Sequence, residues 1–183
     1  MAATFDFQRD TGTQTGSPTK GTTRTTAVTD VNWKSTDTYG TAYSAAPIVD
    51  GTNSFEIWNF GHVTGTWNQV SATLFAHTSV AFGTGLTLKG TPACTGDGDR
   101  LLYTTPSATT NATLTTNMTT AIAIGSGVAV FWGITGPEAT GKAASQNSGA
   151  DVFTNFLTTQ LQVSGAAAGD TATVTLTLQY AEN

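Results

Sequence analysis

Residues 168–183 read AGDTATVTLTLQYAEN. Val174, Leu176, Leu178 and Tyr180 alternate with Thr173, Thr175, Thr177 and Gln179. Side chains along a strand point to opposite faces in turn, so the stretch predicts a half-buried antiparallel β-strand with one apolar and one hydroxyl-rich face. Threonine suits such a face. Its branched Cβ favours the extended backbone, and its hydroxyl keeps the strand wet without charge.

The same preference runs through the whole chain. Its 183 residues include 40 threonines, and only 10% are charged, against roughly 25% in an ordinary soluble domain. So sparsely charged a surface lacks strong like-charge repulsion, which favours extensive contact with other protein surfaces. A secreted β-protein with the same hydroxyl finish is the competing reading. The net charge of −5 sets nucleic acid aside as a partner, because that affinity comes from Lys and Arg neutralising phosphates. No apolar run approaches the roughly 20 residues of a membrane-spanning helix. The opening MAATFDFQRD has neither the basic nor the apolar region of a secretory signal, so no Sec-type signal is expected in it. The single cysteine, Cys94, excludes an internal disulfide.

Residues 1–26 are expected to form an arm. TFDF at 4–7 could make a short strand, but TGTQTGSPTKGTTRTT is punctuated by Gly and Pro and has no apolar period. Such a segment buries too little apolar surface to offset its own ordering entropy. Arg9, Lys20 and Arg24 are the candidate partner-contact residues of this arm. The domain proper is expected over 27–183, with strand patterns at 27–33, 54–82, 86–90, 101–105, 127–134, 156–163 and 171–180. Leu114, Met118, Ala121 and Ile122 fit a short amphipathic helix within 107–123. Strands every ten to twenty residues, separated by turn residues, predict an all-β fold. The expected form is a single antiparallel β-sandwich, jelly-roll or immunoglobulin-like, whose core is built largely from Trp33, Trp58, Trp67 and Trp132.

Chemistry-bearing motifs are few. GPEATGKA at 136–143 matches the spacing of a phosphate-binding loop, but Ala143 stands where a Ser or Thr should hold Mg²⁺. Asp97 and Asp99 could begin a Ca²⁺ loop, yet the further acids are missing. His62, His77 and Cys94 lack the close pair spacing of a zinc site. Ser126 in IGSGV does not fit a nucleophile elbow. Glu56, Glu138, Asp50 and Asp97 are the carboxylates available for a glycosidase pair, and nothing in the sequence brings two of them together. The expectation is a protein with no catalytic residues, no cofactor and no bound metal. A carbohydrate-binding host-attachment module, stacking sugars on exposed indoles, is the alternative of another class.

Two stretches carry a resemblance: NSFEIWNFGHVTGTWNQVSATLFAHT at 53–78, and LTTQLQVSGAAAGDTATVTLTLQYAEN at 157–183. An aromatic strand, a TGT-aromatic-N turn and a terminal TLT-x-QY strand together resemble small virion structural proteins of tailed bacteriophages. Ala181 stands where an acid would follow Tyr180, with Glu182 next. The resemblance covers most of 30–183 and rests on rhythm, with no catalytic signature. It implies a β-sandwich in the virion that decorates or cements the capsid, with the major capsid protein or other virion proteins as partners. It also implies a homo-oligomer, with a trimer favoured. A neck, fibre or tail subunit is the alternative within the same particle.

Overall fold

The computed structural model of the chain describes residues 3–16, 19–65, 70–77, 82–90, 102–107, 114, 116–118, 121–123, 131–133, 137, 152–167, 169 and 175–182. Its strands are β1 (Ala3–Thr15), β2 (Lys20–Thr25), β3 (Ile57–Gly65), β4 (Val70–His77), β5 (Leu86–Gly90), β6 (Thr116–Asn117), β7 (Ala121–Ala123), β8 (Phe131–Gly133), β9 (Val152–Thr154), β10 (Leu157–Val163) and β11 (Leu176–Glu182). One 3₁₀ turn, Tyr43–Ala45, is the only helical element among the described residues. The fold is all-β, and every described pairing is antiparallel. An eight-stranded sheet runs β2-β1-β3-β10-β5-β6, with β9 joining β3 to β8. A three-stranded sheet runs β11-β4-β7.

β3 is the spine of the large sheet. Along one side it pairs with β1 from Ala3↔Gly65 to Asp10↔Trp58. Along the other it pairs first with β10 at residues 57–59, then with β9 at His62 and Val63. The chain interrupts this second edge at Asn155 and Phe156. There the Thr154 hydroxyl accepts the Gly61 N–H at 2.8 Å and donates to the Asn155 carbonyl at 2.9 Å, satisfying backbone groups that the broken ladder leaves over.

Both faces of this sheet are covered. Directly opposed residues of an antiparallel pair share a face, so the register sorts the side chains. Trp58 and Phe60 lie on one face and pack with Tyr103, Phe153 and Phe156, the rings meeting edge-on or tilted at 5.1–6.1 Å. Leu157 and Leu88 lie on the other face and pack with Met118, flanked by Phe7, Trp33 and Phe82. Trp33 also donates its indole N–H to Thr159 at 3.1 Å. On that second face Gly61 makes room for a ring: a Cβ there would lie 2.0 Å from Cζ of Phe5.

Three expectations change in the structure. Residues 1–26 were expected as an arm; over their described length they form a hairpin, and β1 is an interior strand of the large sheet. Phe5, Phe7 and Arg9 alternate with Asp6, Gln8 and Asp10, and that period is what lets the segment pair with β3. Residues 27–33 hold no strand; after β2 the chain turns at Ala27, whose φ is 51°, and Val28 donates to the Phe7 carbonyl. The helix expected within 107–123 is replaced, where described, by β6 paired with β5 and β7 paired with β4. Its threonines favour the extended backbone over a helix.

Candidate functional site

The densest polar cluster is built around the first hairpin. Asp10 is fully buried, and its carboxylate accepts Arg24 Nε at 2.7 Å, Arg24 Nη2 at 2.9 Å and the Gly21 N–H at 3.1 Å. The bidentate fork matches carboxylate geometry. Asp10 and Arg24 are cross-strand partners in β1 and β2, so the hairpin register itself brings them together. The Arg24 guanidinium also lies over the Phe60 ring, 4.8 Å from its centroid, which adds a cation–π attraction.

On the opposite face, Arg9 is 1% exposed and its Nη2 reaches Asp37 Oδ1 at 3.5 Å. Asp37 Oδ2 accepts the Gly12 N–H at 2.6 Å, where β1 bulges and Gly12 takes a φ of 85°. Tyr103 donates its hydroxyl to the Gly12 carbonyl at 2.7 Å, so both backbone groups of this left-handed residue are held. Buried Lys34 donates to the Thr41 carbonyl at 2.6 Å.

Burial disfavours charge on Arg9, Lys34, Asp37 and Tyr103. Desolvation lowers the Arg9 pKa, although Asp37 and Asp30 oppose the shift. Lys34 is lowered by burial first and by the neighbouring Arg9 second. The Asp37 carboxyl is pushed up by burial, against the Gly12 hydrogen bond and the Arg9 charge that both pull it down. Tyr103 is pushed up, chiefly by burial and then by Asp37 and Asp10. Desolvation therefore outweighs the attraction in the long Arg9–Asp37 pair, as is common for buried ion pairs.

A second polar group lies where β1 meets β3. His62 Nδ1 is 2.9 Å from Asp6 Oδ1 and 3.1 Å from Gln8 Nε2. The imidazole stacks on Phe153 with centroids 4.4 Å apart and planes within 8°. The Asp6–His62 contact has the form of an oriented base. Among the described residues, no three His, Cys, Asp or Glu side chains gather as metal ligands.

The residues singled out from the sequence fall in different places. Arg9 and Arg24 are engaged inside the chain by Asp37 and Asp10, while Lys20 is exposed on β2. Trp58 is core and Trp33 is half-buried. Glu56 is buried and accepts the Trp58 indole N–H at 3.4 Å. Asp50 accepts the N–H groups of Gly165 and Ala166 at 2.8 and 3.1 Å, tying one loop to another. Cys94, Asp97, Asp99, Ser126, Glu138, Trp67 and the loop 138–143 lie outside the described residues, as do the side chains of His77 and Trp132. Sequence reading missed Asp37, Tyr103 and Lys34. One signal was present: Arg9 continues the Phe5–Phe7 face of a strand, and a cation in line with core rings needs a buried acidic partner.

A different kind of surface lies at residues 38–49, TYGTAYSAAPIV, which contain no charged side chain. Tyr43 is 52% and Val49 67% exposed, and Ala42, Ala45 and Pro47 are exposed with them. The loop is nevertheless fastened. Lys34 holds the Thr41 carbonyl, Ser35 N–H bonds the Ala46 carbonyl at 3.0 Å, and Thr52 N–H bonds the Val49 carbonyl at 3.0 Å.

No protein-family model matches the chain, and no curated protein or solved structure is significantly similar to it.

Proposed function

We propose that the chain is a non-enzymatic structural protein of a tailed-phage virion, a decoration or cement protein that docks on coat subunits through the loop at residues 38–49. The observation that supports this reading is where charge and apolar area lie. Arg9, Asp10, Lys34 and Glu56 are buried, whereas Tyr43, Val49 and Leu102 are exposed. These four charged side chains lie inside the fold, and an uncharged loop held at several points is offered outside. A loop already fixed in shape loses little entropy on docking. Each contact contributes roughly 25 cal/mol per Å² of apolar area removed from water, and a lattice repeats it many times over. Anchoring through Arg9 and Arg24 does not belong to the proposal, since both are engaged by carboxylates of the same chain.

Copy number in purified virions tests the reading. A cement role predicts a band whose intensity approaches that of the coat protein. A few copies per particle would instead indicate a neck, fibre or tail subunit, and absence from the particle would remove the virion reading altogether.

A further inference from the structure

Arg9 and Asn59 face each other directly across β1 and β3, and each is 1% exposed. Opposed residues project to the same face with Cβ atoms about 4.5–5.5 Å apart. Among the described residues, Arg9 Nε and both polar atoms of the Asn59 carboxamide have no hydrogen-bond partner. Buried polar groups are satisfied almost without exception, by protein or by ordered water. Across the other edge of β3, Asn59 is opposed by Leu157, which belongs to the cluster with Leu88 and Met118 and offers no polar side chain.

The surroundings restrict what could complete this row. Arg9 and Lys34 are the cations of the neighbourhood, and Asp37 and Asp30 are the acids that act on them. Their formal charges balance. A bound anion would sit close to Asp37, a bound cation close to Arg9, and an apolar molecule would leave three polar atoms unsatisfied. We propose that an internal water molecule occupies this position, accepting the Arg9 Nε–H and donating to Asn59 Oδ1. It ties β1 to β3 at the point where the ionic group of the hairpin meets the apolar cluster. This water site is independent of the virion reading.

The full-length protein provides the test. A high-resolution crystal structure is expected to show an isolated density peak about 2.7–3.2 Å from both Arg9 Nε and the Asn59 carboxamide. Oxygen-17 relaxation dispersion in solution is expected to count one fewer long-lived water in Asn59→Leu than in the native protein. A direct Arg9–Asn59 hydrogen bond with no water between them would overturn the proposal. So would anomalous density for bromide at the site after a halide soak. Should Asn59→Leu fail to fold, the native density alone decides.

Discussion

The first hairpin and the loop at residues 38–49 reverse what their compositions suggest. The hairpin carries Arg9, Asp10 and Arg24, yet Arg9 and Asp10 are among the most buried residues of the molecule. The loop carries Tyr43, Pro47 and Val49 and presents them to solvent. Strand register explains the difference. In β1 Arg9 follows Phe5 and Phe7 onto one face of the sheet and Asp10 points to the other; both faces are covered, so Arg9 is carried inward to Asp37 and Asp10 to Arg24. The loop has no such period, so backbone hydrogen bonds at its ends hold it while its apolar side chains stay outside.

The largest effect expected from challenging this contrast is in the hairpin. Asp10→Ala removes the buried carboxylate that accepts both Arg24 and the Gly21 N–H, and breaking a buried pair in this way costs about 3–5 kcal/mol. Urea denaturation should register it. Replacing both Asp10 and Arg24 with apolar residues should recover much of the loss, and a single variant of native stability would refute the buried-pair account. Next, Gly61→Ala drives a methyl into the Phe5 ring and should destabilise by about 1–3 kcal/mol. Adding Phe5→Leu should restore part of that, as a double-mutant cycle would reveal.

Titration offers a smaller effect with a definite sign. Tyr103 holds its proton in the fold beyond the ordinary value of 10.0, so above about pH 10 the unfolded chain releases a proton that the native chain keeps. Stability then falls as pH rises. Tyr103→Phe should be somewhat less stable at neutral pH, having lost the bond to Gly12, but its alkaline decline should be shallower. Asp37, raised above 3.8 in the fold, also gives stability that is full below the ordinary carboxyl value and declines as pH rises through its folded value. Smallest of all is the loop: Tyr43→Asp should change unfolding free energy by less than about 0.5 kcal/mol. A large loss there would mean that the loop is structural.

Two strands with nearly the same rhythm mark how far sequence could be read. β10 and the stretch leading into β11 both alternate aliphatic residues with Thr or Gln, and both are strands. Their burial differs. Thr158, Thr159 and Gln160 of β10 are buried, with Gln160 donating to the Ser54 carbonyl at 3.1 Å. Thr175 and Thr177 are exposed, and β11 lies at the end of its sheet. Periodicity identifies a strand and its two faces. Whether the polar face meets water depends on which segments fold over it, and those lie far away in the chain. The same limit hid the hairpin, whose strand β1 is stabilised by β3 some fifty residues on, and it hid the meeting of Arg9 with Asp37 and of Gly12 with Tyr103. The alternation of Phe5 and Phe7 was legible; the strand that would receive it was not.

The central proposal is that Arg9, Asp10, Lys34 and Glu56 serve the interior while the uncharged loop at residues 38–49 makes the external contact. Retention on purified particles tests it most directly, comparing the native chain, Lys20→Ala and Tyr43→Asp/Val49→Asp at low salt and in 1 M salt. The account predicts that native protein and Lys20→Ala stay bound through the salt wash while the loop variant is lost. Release of the native protein by salt, with the loop variant still bound, would contradict it.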